Sequence, residues 1–397
     1  MSTTTSPSGE PLSGRLAPLA ALRYRDFRLP WLGQLVSTAG SQMRIVAVNV
    51  QIYELAKAGA AIDPALALGL IGLARAVPLV LTALLSGLVA DRADRRLLLL
   101  LTSLGALISS AVLALASGLA AAPLWLIYAM VILAAVAGAF EMPARQALIP
   151  TLVPAEYLPN ALSLNVIVWQ LATIAGPTLA GILIAWGGVA PVYWIDAASF
   201  LAVVAAVVLM RMRAAPRRAE PVTLHAALEG LRFVFRSPLI ASTMILDFFA
   251  TFFGAAMTLL PLFADQVLHV GPVALGWLYA APAVGAVLAA VALTSIRIRR
   301  QGPVLLWSIA IFGVCTAIFG LSRSLPLMLL ALAGTGASDT VSMVIRQTIR
   351  QLMTPDELRG RMTAVNMIFF AGGPQIGELE SGVVASLLGG PLAVFLG

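Results

Sequence analysis

The chain is dominated by apolar runs of about 20 residues, each long enough to cross a hydrocarbon core of roughly 30 Å as a helix. In lipid only helices and closed barrels satisfy every backbone group. These runs are rich in Ala, Leu and Val and do not alternate, which disfavours a barrel. Windows of that length place spans near 29–55, 65–90, 97–118, 123–143, 160–186 and 190–210. A second set follows near 239–264, 271–295, 303–322, 325–347 and 361–388. A twelfth starts at Pro391 but stops at Gly397, too short to cross. With 60% hydrophobic and only 11% charged residues, the composition lies far outside that of soluble domains. The expected fold class is an all-α polytopic membrane protein.

The charges then choose an orientation. Residues 1–28 open polar, without the basic and apolar regions of a signal peptide, and read as a cytosolic tail. If that tail is inside, the inner loops collect 21 of the 25 basic residues, Arg346 and Arg350 counted among them. The outer loops keep Lys57 and Arg323, while Arg44 and Arg75 fall within spans. Such a bias sets the N-terminus in the cytosol by the positive-inside rule. A net charge of +7 therefore reflects topology and the lipid bilayer, and no nucleic-acid partner is expected. The expected location is the inner (cytoplasmic) membrane. Cys315 is the single cysteine and cannot form an internal disulfide.

An internal repeat divides the chain. At a constant shift of 201, Arg145, Gln146, Pro154, Glu156, Asn165, Gly176 and Gly181 fall on Arg346, Gln347, Pro355, Glu357, Asn366, Gly377 and Gly382. The chain is thus read as two homologous six-helix halves, 29–210 and 239–397, joined by a basic linker at 211–238. Two parallel repeats with a central loop are a transporter architecture, in which the halves rock about a midplane site.

Between spans two and three lies "GLVADRADRR", five charges within six positions. A solvated inner loop accounts for the arginines alone. The spacing of Gly87, Asp91, Arg92, Arg95 and Arg96, however, resembles the G-x-x-x-D-R-x-x-R-R signature of the major facilitator superfamily. Asp94 stands where that pattern prefers Gly, a change similar to the exporter branch that contains enterobactin and drug:proton exporters. "AFEMPARQALIPTLVP" and "LRGRM" resemble the same branch. The resemblance implies that the loop is a cytoplasmic latch, with Asp91 capping a neighbouring helix and pairing with arginines. The second half has "RIRR" at 297–300 without a matching Asp, so the latch is expected on one side only. In span five, Ser163, Ala172, Gly176, Pro177, Ala180 and Gly181 resemble the small-residue G-x8-G-x3-G-P-x2-G-G motif of proton-driven exporters. Three of these six agree, and a plain small-residue packing face is the alternative.

ATP is not the expected energy source, because a P-loop needs a lysine after its glycines and Lys57 is the only lysine. His225 and His269 stand apart, so neither metal nor cofactor is expected, and no nucleophile–base set suggests an enzyme. Protons are what the resemblance implies, and they need ionisable groups inside the membrane. Candidates for coupling or for the substrate cavity are Arg44, Arg75, Glu141, Asp247, Asp339 and Glu378. Ser37, Ser41, Arg44, Val48 and Gln51 share a helical face that reads as a cavity wall; Thr243, Asp247, Gly254 and Thr258 make a second stripe. Asp196 is set aside as structural. Arg75 and Glu378 sit at similar depth on spans two and eleven, which are neighbours across the halves in the family, and are expected to pair. The resulting expectation is a monomeric, proton-coupled exporter of a small amphipathic molecule, a siderophore or drug-like compound. An uptake symporter and a non-transporting sensor are the alternatives.

Overall fold

The computed structural model describes residues 17–59, 62–92, 94–119, 122–210, 231–254, 256–296, 298, 300–355 and 358–397. Among these, long helices follow the apolar runs: α1 (Arg25–Lys57), α2 (Pro64–Arg92), α3 (Arg95–Gly118), α4 (Leu124–Leu152), α5 (Leu158–Gly187) and α6 (Val189–Leu209). The second half gives α7 (Pro238–Phe253), α8 (Pro272–Ser295), α9 (Gln301–Leu321), α10 (Leu325–Met353), α11 (Arg359–Leu388) and the short α12 (Gly390–Leu396). Nine membrane-crossing segments, covering α2 to α10, are long and apolar enough among the described residues. The stretches holding α1 and α11 fall short of that measure, so the twelve-span expectation is met only in part. Both carry charges mid-helix, Arg44 on α1 and Glu378 and Glu380 on α11.

The repeat reappears in the helix boundaries. Shifting α4 by 201 residues gives α10, and the same shift takes α5 onto α11, at both ends of each helix. Helix starts are fixed by ordinary capping chemistry. Asp63 Oδ1 accepts from the backbone N–H groups of Ala65 and Leu66 at the head of α2. At the head of α3, Asp94 Oδ1 accepts from Arg96 N at 2.8 Å and Leu97 N at 3.4 Å. Asp94, the departure from the superfamily loop pattern, is thus a helix cap. Arg96 donates through Nη2 to Val208 O at the end of α6, where orphan carbonyls favour a cation. The side chains of Gly87, Asp91, Arg92 and Arg95 lie outside the described residues, and so does most of the 211–238 linker.

Span seven is not one helix. After Phe253 the chain turns at Gly254 and resumes as a 3-10 turn (Met257–Leu259), a single helical turn (Leu260–Leu262) and a π turn (Phe263–Val267). Pro261 falls in the first turn of the resumed helix, where its missing N–H does no harm. The stripe Thr243–Asp247–Gly254–Thr258 expected on one helix is therefore split, with Thr258 beyond the break.

The two halves meet along α2 with α11 and α5 with α8. Close backbone approach explains the glycines there. A Cβ on Gly382 would lie 2.5 Å from Gly69 Cα, and one on Gly276 would lie 3.2 Å from Gly181 Cα. One apolar core runs through both halves at the end carrying Lys57 and His269, with Tyr53, Ile71, Phe263, Leu278 and Phe319 in it. At the opposite end the described cores are separate. One, around Phe27, Leu148 and Val207, belongs to the first half; the other, around Val234, Met244 and Met362, to the second. The bundle is sealed at one end and divided at the other.

Candidate functional site: a polar cavity between the halves

At the junction of the halves lies a cavity of about 140 Å³. α1 lines it with Gln42, Ile45, Val46 and Asn49, and α5 with Thr173 and Pro177. The second half supplies Met257 and Thr258 from the break after α7 and Tyr279 from α8. Arg75 of α2 and Glu378 of α11 complete the wall from opposite halves.

The expected juxtaposition of Arg75 and Glu378 is present. Arg75 Nη1 is 3.7 Å from Glu378 Oε1, and both side chains are largely buried. That distance exceeds a hydrogen bond, so the two charges face each other without being clamped. Glu378 Oε2 has no hydrogen-bond partner at all. Asn49 Nδ2 donates to Tyr279 Oη at 2.7 Å, a second link across the halves. Asn49 Oδ1 and Thr258 Oγ1 are buried without partners, although both residues are 1% exposed. Buried polar groups are normally satisfied, so these two unpaired oxygens stand out beside the cavity.

The span-five motif contributes directly. A Cβ on Gly176 would meet Gln42 Cβ at 2.6 Å and Ala39 O at 2.9 Å, so this glycine lets α5 seat against α1 beside the cavity. Pro177 is in the wall itself, and the N–H it lacks leaves the Thr173 carbonyl without its helical donor. Gly181 makes the approach to α8.

The other candidates lie elsewhere. Arg44 does not line the cavity, which corrects the cavity-wall reading of its helical face. That face packs on α6 and α3: Arg44 Nε is 2.9 Å from Asp196 Oδ2, and the Ser110 hydroxyl donates to the same oxygen at 2.5 Å. Gln51 of the same face accepts from Tyr193 Oη at 2.8 Å and donates to Ser117 Oγ at 2.7 Å. Helical periodicity identifies residues that share a face but not the helix that face meets. Glu141 is also absent from the cavity. It pairs with Arg145 one turn on, at 3.1 Å, at the divided end of the first half.

Asp247 and Asp339 belong to a separate buried cluster in the second half. Arg346 Nη2 is 2.8 Å from Asp247 Oδ1 and 3.4 Å from Asp339 Oδ1, and Arg350 Nη1 is 4.0 Å from Asp247 Oδ2. Arg346 and Arg350 are 2% and 6% exposed, so neither is the inner-loop arginine that the charge count made it. Asp339 keeps 43% of its side chain accessible, against 3% for Asp247. No single-sequence signal pairs residues a hundred positions apart, and the positive-inside count claimed these arginines first.

A helical bundle of two repeats with a cavity at their junction is the architecture of a major facilitator superfamily transporter. The match to that superfamily's transmembrane secretion effector family covers residues 16–397, and the chain belongs to that family. It is 30% identical over 368 residues to the enterobactin exporter EntS of Shigella boydii serotype 18, covering 92% of this chain and 84% of that one. It is 28% identical over 370 residues to the multidrug efflux pump Tap of Mycolicibacterium fortuitum, covering 89% and 88%. Among solved structures, the fold is shared with a bacterial homologue of the human lysosomal transporter Spinster in an inward-facing, unoccupied conformation. The TM-score is 0.71 at 16% identity, covering 91% of this chain and 83% of that one. The protein is a multi-pass membrane transporter with efflux relatives, and not an enzyme.

Proposed function

We propose that the protein is a proton-coupled exporter that carries a small amphipathic molecule across the cytoplasmic membrane by alternating access. The N-terminus lies in the cytosol, as the arginine bias between spans requires. In that orientation the sealed end faces outward and the divided end faces the cytosol, so the cavity is in its loading state. The observation that carries the reading is the Arg75–Glu378 pair, which sets opposite charges from the two halves within one cavity wall. A proton on Glu378 removes the attraction between the halves at that point and biases the rocking equilibrium. EntS and Tap, whose names describe an exporter and an efflux pump, support the outward direction and a siderophore or drug-like cargo. The buried Asp247–Arg346–Asp339 cluster is the alternative seat for the proton, and Asp339, being accessible, is where it would enter. Asp91, Arg92, Arg95 and Arg96 are assigned to the cytosolic latch by their pattern.

The test is energetic. In everted vesicles, transport collapses when the proton gradient is dissipated and survives ATP depletion while the gradient is clamped. Transport in de-energised vesicles supplied only with ATP would refute the assignment.

A further inference from the structure

The cavity carries a charge pattern that selects among cargoes. Among the described residues that line it, Arg75 and Glu378 are the charged ones, and the remaining wall is apolar or neutral. Arg44, Glu141, Asp247 and Asp339 each face an opposite charge elsewhere in the bundle. The cavity therefore has no net charge, but a positive and a negative pole lie 3.7 Å apart on opposite halves. Neither pole is used up. At 3.7 Å the guanidinium makes no hydrogen bond to the carboxylate, and Glu378 Oε2 has no partner. At about 140 Å³ the cavity is smaller than the roughly 300–1,000 Å³ of pockets that enclose drug-sized ligands. It takes one polar head of a cargo, and the charges on that head decide the fit. A cation alone would contend with Arg75 for the carboxylate and leave a surplus positive charge in a wall largely withdrawn from water. An anion alone would leave a surplus negative charge at Glu378. Uncompensated buried charge is costly. A head that carries both charges satisfies both poles at once. Its acid accepts two parallel bonds from the guanidinium fork, and its amine donates to the Glu378 carboxylate.

We propose that the cavity receives a zwitterionic head group, its acid on Arg75 and a neighbouring ammonium on Glu378. This rests on the exporter reading above and names its substrate class. It also gives the exchange its sign. The proton and the cargo ammonium occupy the same carboxylate, so each excludes the other, as export against proton entry requires. A purely anionic cargo would bind best with a proton on Glu378, and the two would travel together. Among the described residues, the charged or titratable groups that face Glu378 are Arg75 of α2 and the Tyr279 hydroxyl of α8. Asp247 of α7, which also packs on α11, faces Arg346 instead. The short α12 and the 257–259 turn carry no titratable side chain.

The test uses three probes with one apolar body: phenylalanine, phenethylamine, which lacks its acid, and 3-phenylpropanoate, which lacks its amine. Binding to the purified full-length protein is read as the rise in thermal transition over a concentration series, which gives an apparent Kd. Phenylalanine should bind at least about tenfold more tightly than either analogue, a difference of about 1.4 kcal/mol. Lowering the pH, within the range where the probes keep their charges, should weaken phenylalanine and strengthen 3-phenylpropanoate. Glu378→Gln leaves Arg75 as the charge in the wall, so the order should invert toward 3-phenylpropanoate. Arg75→Gln should invert it toward phenethylamine. Glu378→Gln retains an amide oxygen that accepts from the ammonium, so it loses affinity and not exchange at saturating cargo. In the native protein, phenylalanine binding no tighter than that of both analogues, absent binding included, overturns the proposal whether or not the variants fold. The same order of affinities in all three proteins overturns it as well. Binding is read without a gradient, so the expected order in a protein that moves no cargo against protons would count against the transport reading alone.

Discussion

Arg75 and Glu378 show what a single buried pair can be asked to do. Each is largely withdrawn from water, and they face each other at 3.7 Å across the halves. Deleting one partner leaves an uncompensated charge in a low-dielectric wall, whereas deleting both removes the problem. We therefore predict that Arg75→Ala and Glu378→Ala each damage expression and transport more than the double substitution does, read as a non-additive double-mutant cycle. Strictly additive effects would show that the charges do not communicate. The same logic applies more severely to Asp247, because Arg346 is almost fully enclosed and depends on it. Asp247→Ala should cost about 3–5 kcal/mol of stability, measured as a lowered thermal transition in detergent. A change below about 1 kcal/mol would mean that Asp339 alone satisfies Arg346.

At the scale of elements, helices cap, bend and approach each other through a few small residues. The α3 cap is local: Asp94→Ala should cost about 1 kcal/mol and leave transport near that of the parent, because the cap touches no cavity residue. The α2–α11 contact is not local, because Gly382 lies against both Gly69 Cα and the Ala65 carbonyl. Backbone cannot retreat as a flexible side chain can, so Gly382→Leu should overpack the interface by about 1–3 kcal/mol. It should also impair transport beyond the loss in amount of folded protein; equal activity per folded molecule would contradict a tight interface. Sequence periodicity located most of these elements. Helix positions followed from apolar runs, and the internal repeat has its structural counterpart in α10 and α11, which copy the boundaries of α4 and α5. The break after Phe253 was hidden because 239–264 is of ordinary span length and mostly apolar, and glycine is common in membrane helices. Only the packing of Gly254 against the Phe312 ring and the restart at Pro261 reveal it.

Across the whole molecule, the difference between the two ends matters most. A shared core joins the halves at the Lys57 end, and separate cores occupy the other. Depth follows from residue count at 1.5 Å per residue, and together with the family resemblance, which made spans two and eleven neighbours, it was enough to anticipate Arg75 beside Glu378. Facing partners were not legible in the same way. Arg44 with Asp196, and Asp247 with Arg346, depend on how helices rotate against one another, which no residue count contains. Arg145 and Arg346 are equivalent in the repeat, yet Arg145 pairs within its own helix while Arg346 also reaches Asp247 on α7. Duplication preserved the helices and let the charges diverge, so that the first half buries its own ion pair and the second half a four-residue cluster. The cytosolic latch is expected to act at this scale as well. Asp91→Asn should leave membrane insertion intact and slow transport severely, since insertion depends on apolar spans and arginines; unimpaired export by well-expressed Asp91→Asn protein would remove the latch assignment.

The central claim, that Glu378 couples a proton to the movement of the halves, is tested most directly by separating net transport from exchange. In proteoliposomes the Glu378→Gln protein keeps a group of the same shape but can neither carry nor release a proton. It should exchange labelled for unlabelled cargo across the membrane at a rate close to the parent, while losing net transport driven by an imposed proton gradient. Gradient-driven accumulation that persists in Glu378→Gln protein at the level of the parent would contradict the account and move the proton to the Asp247–Arg346–Asp339 cluster.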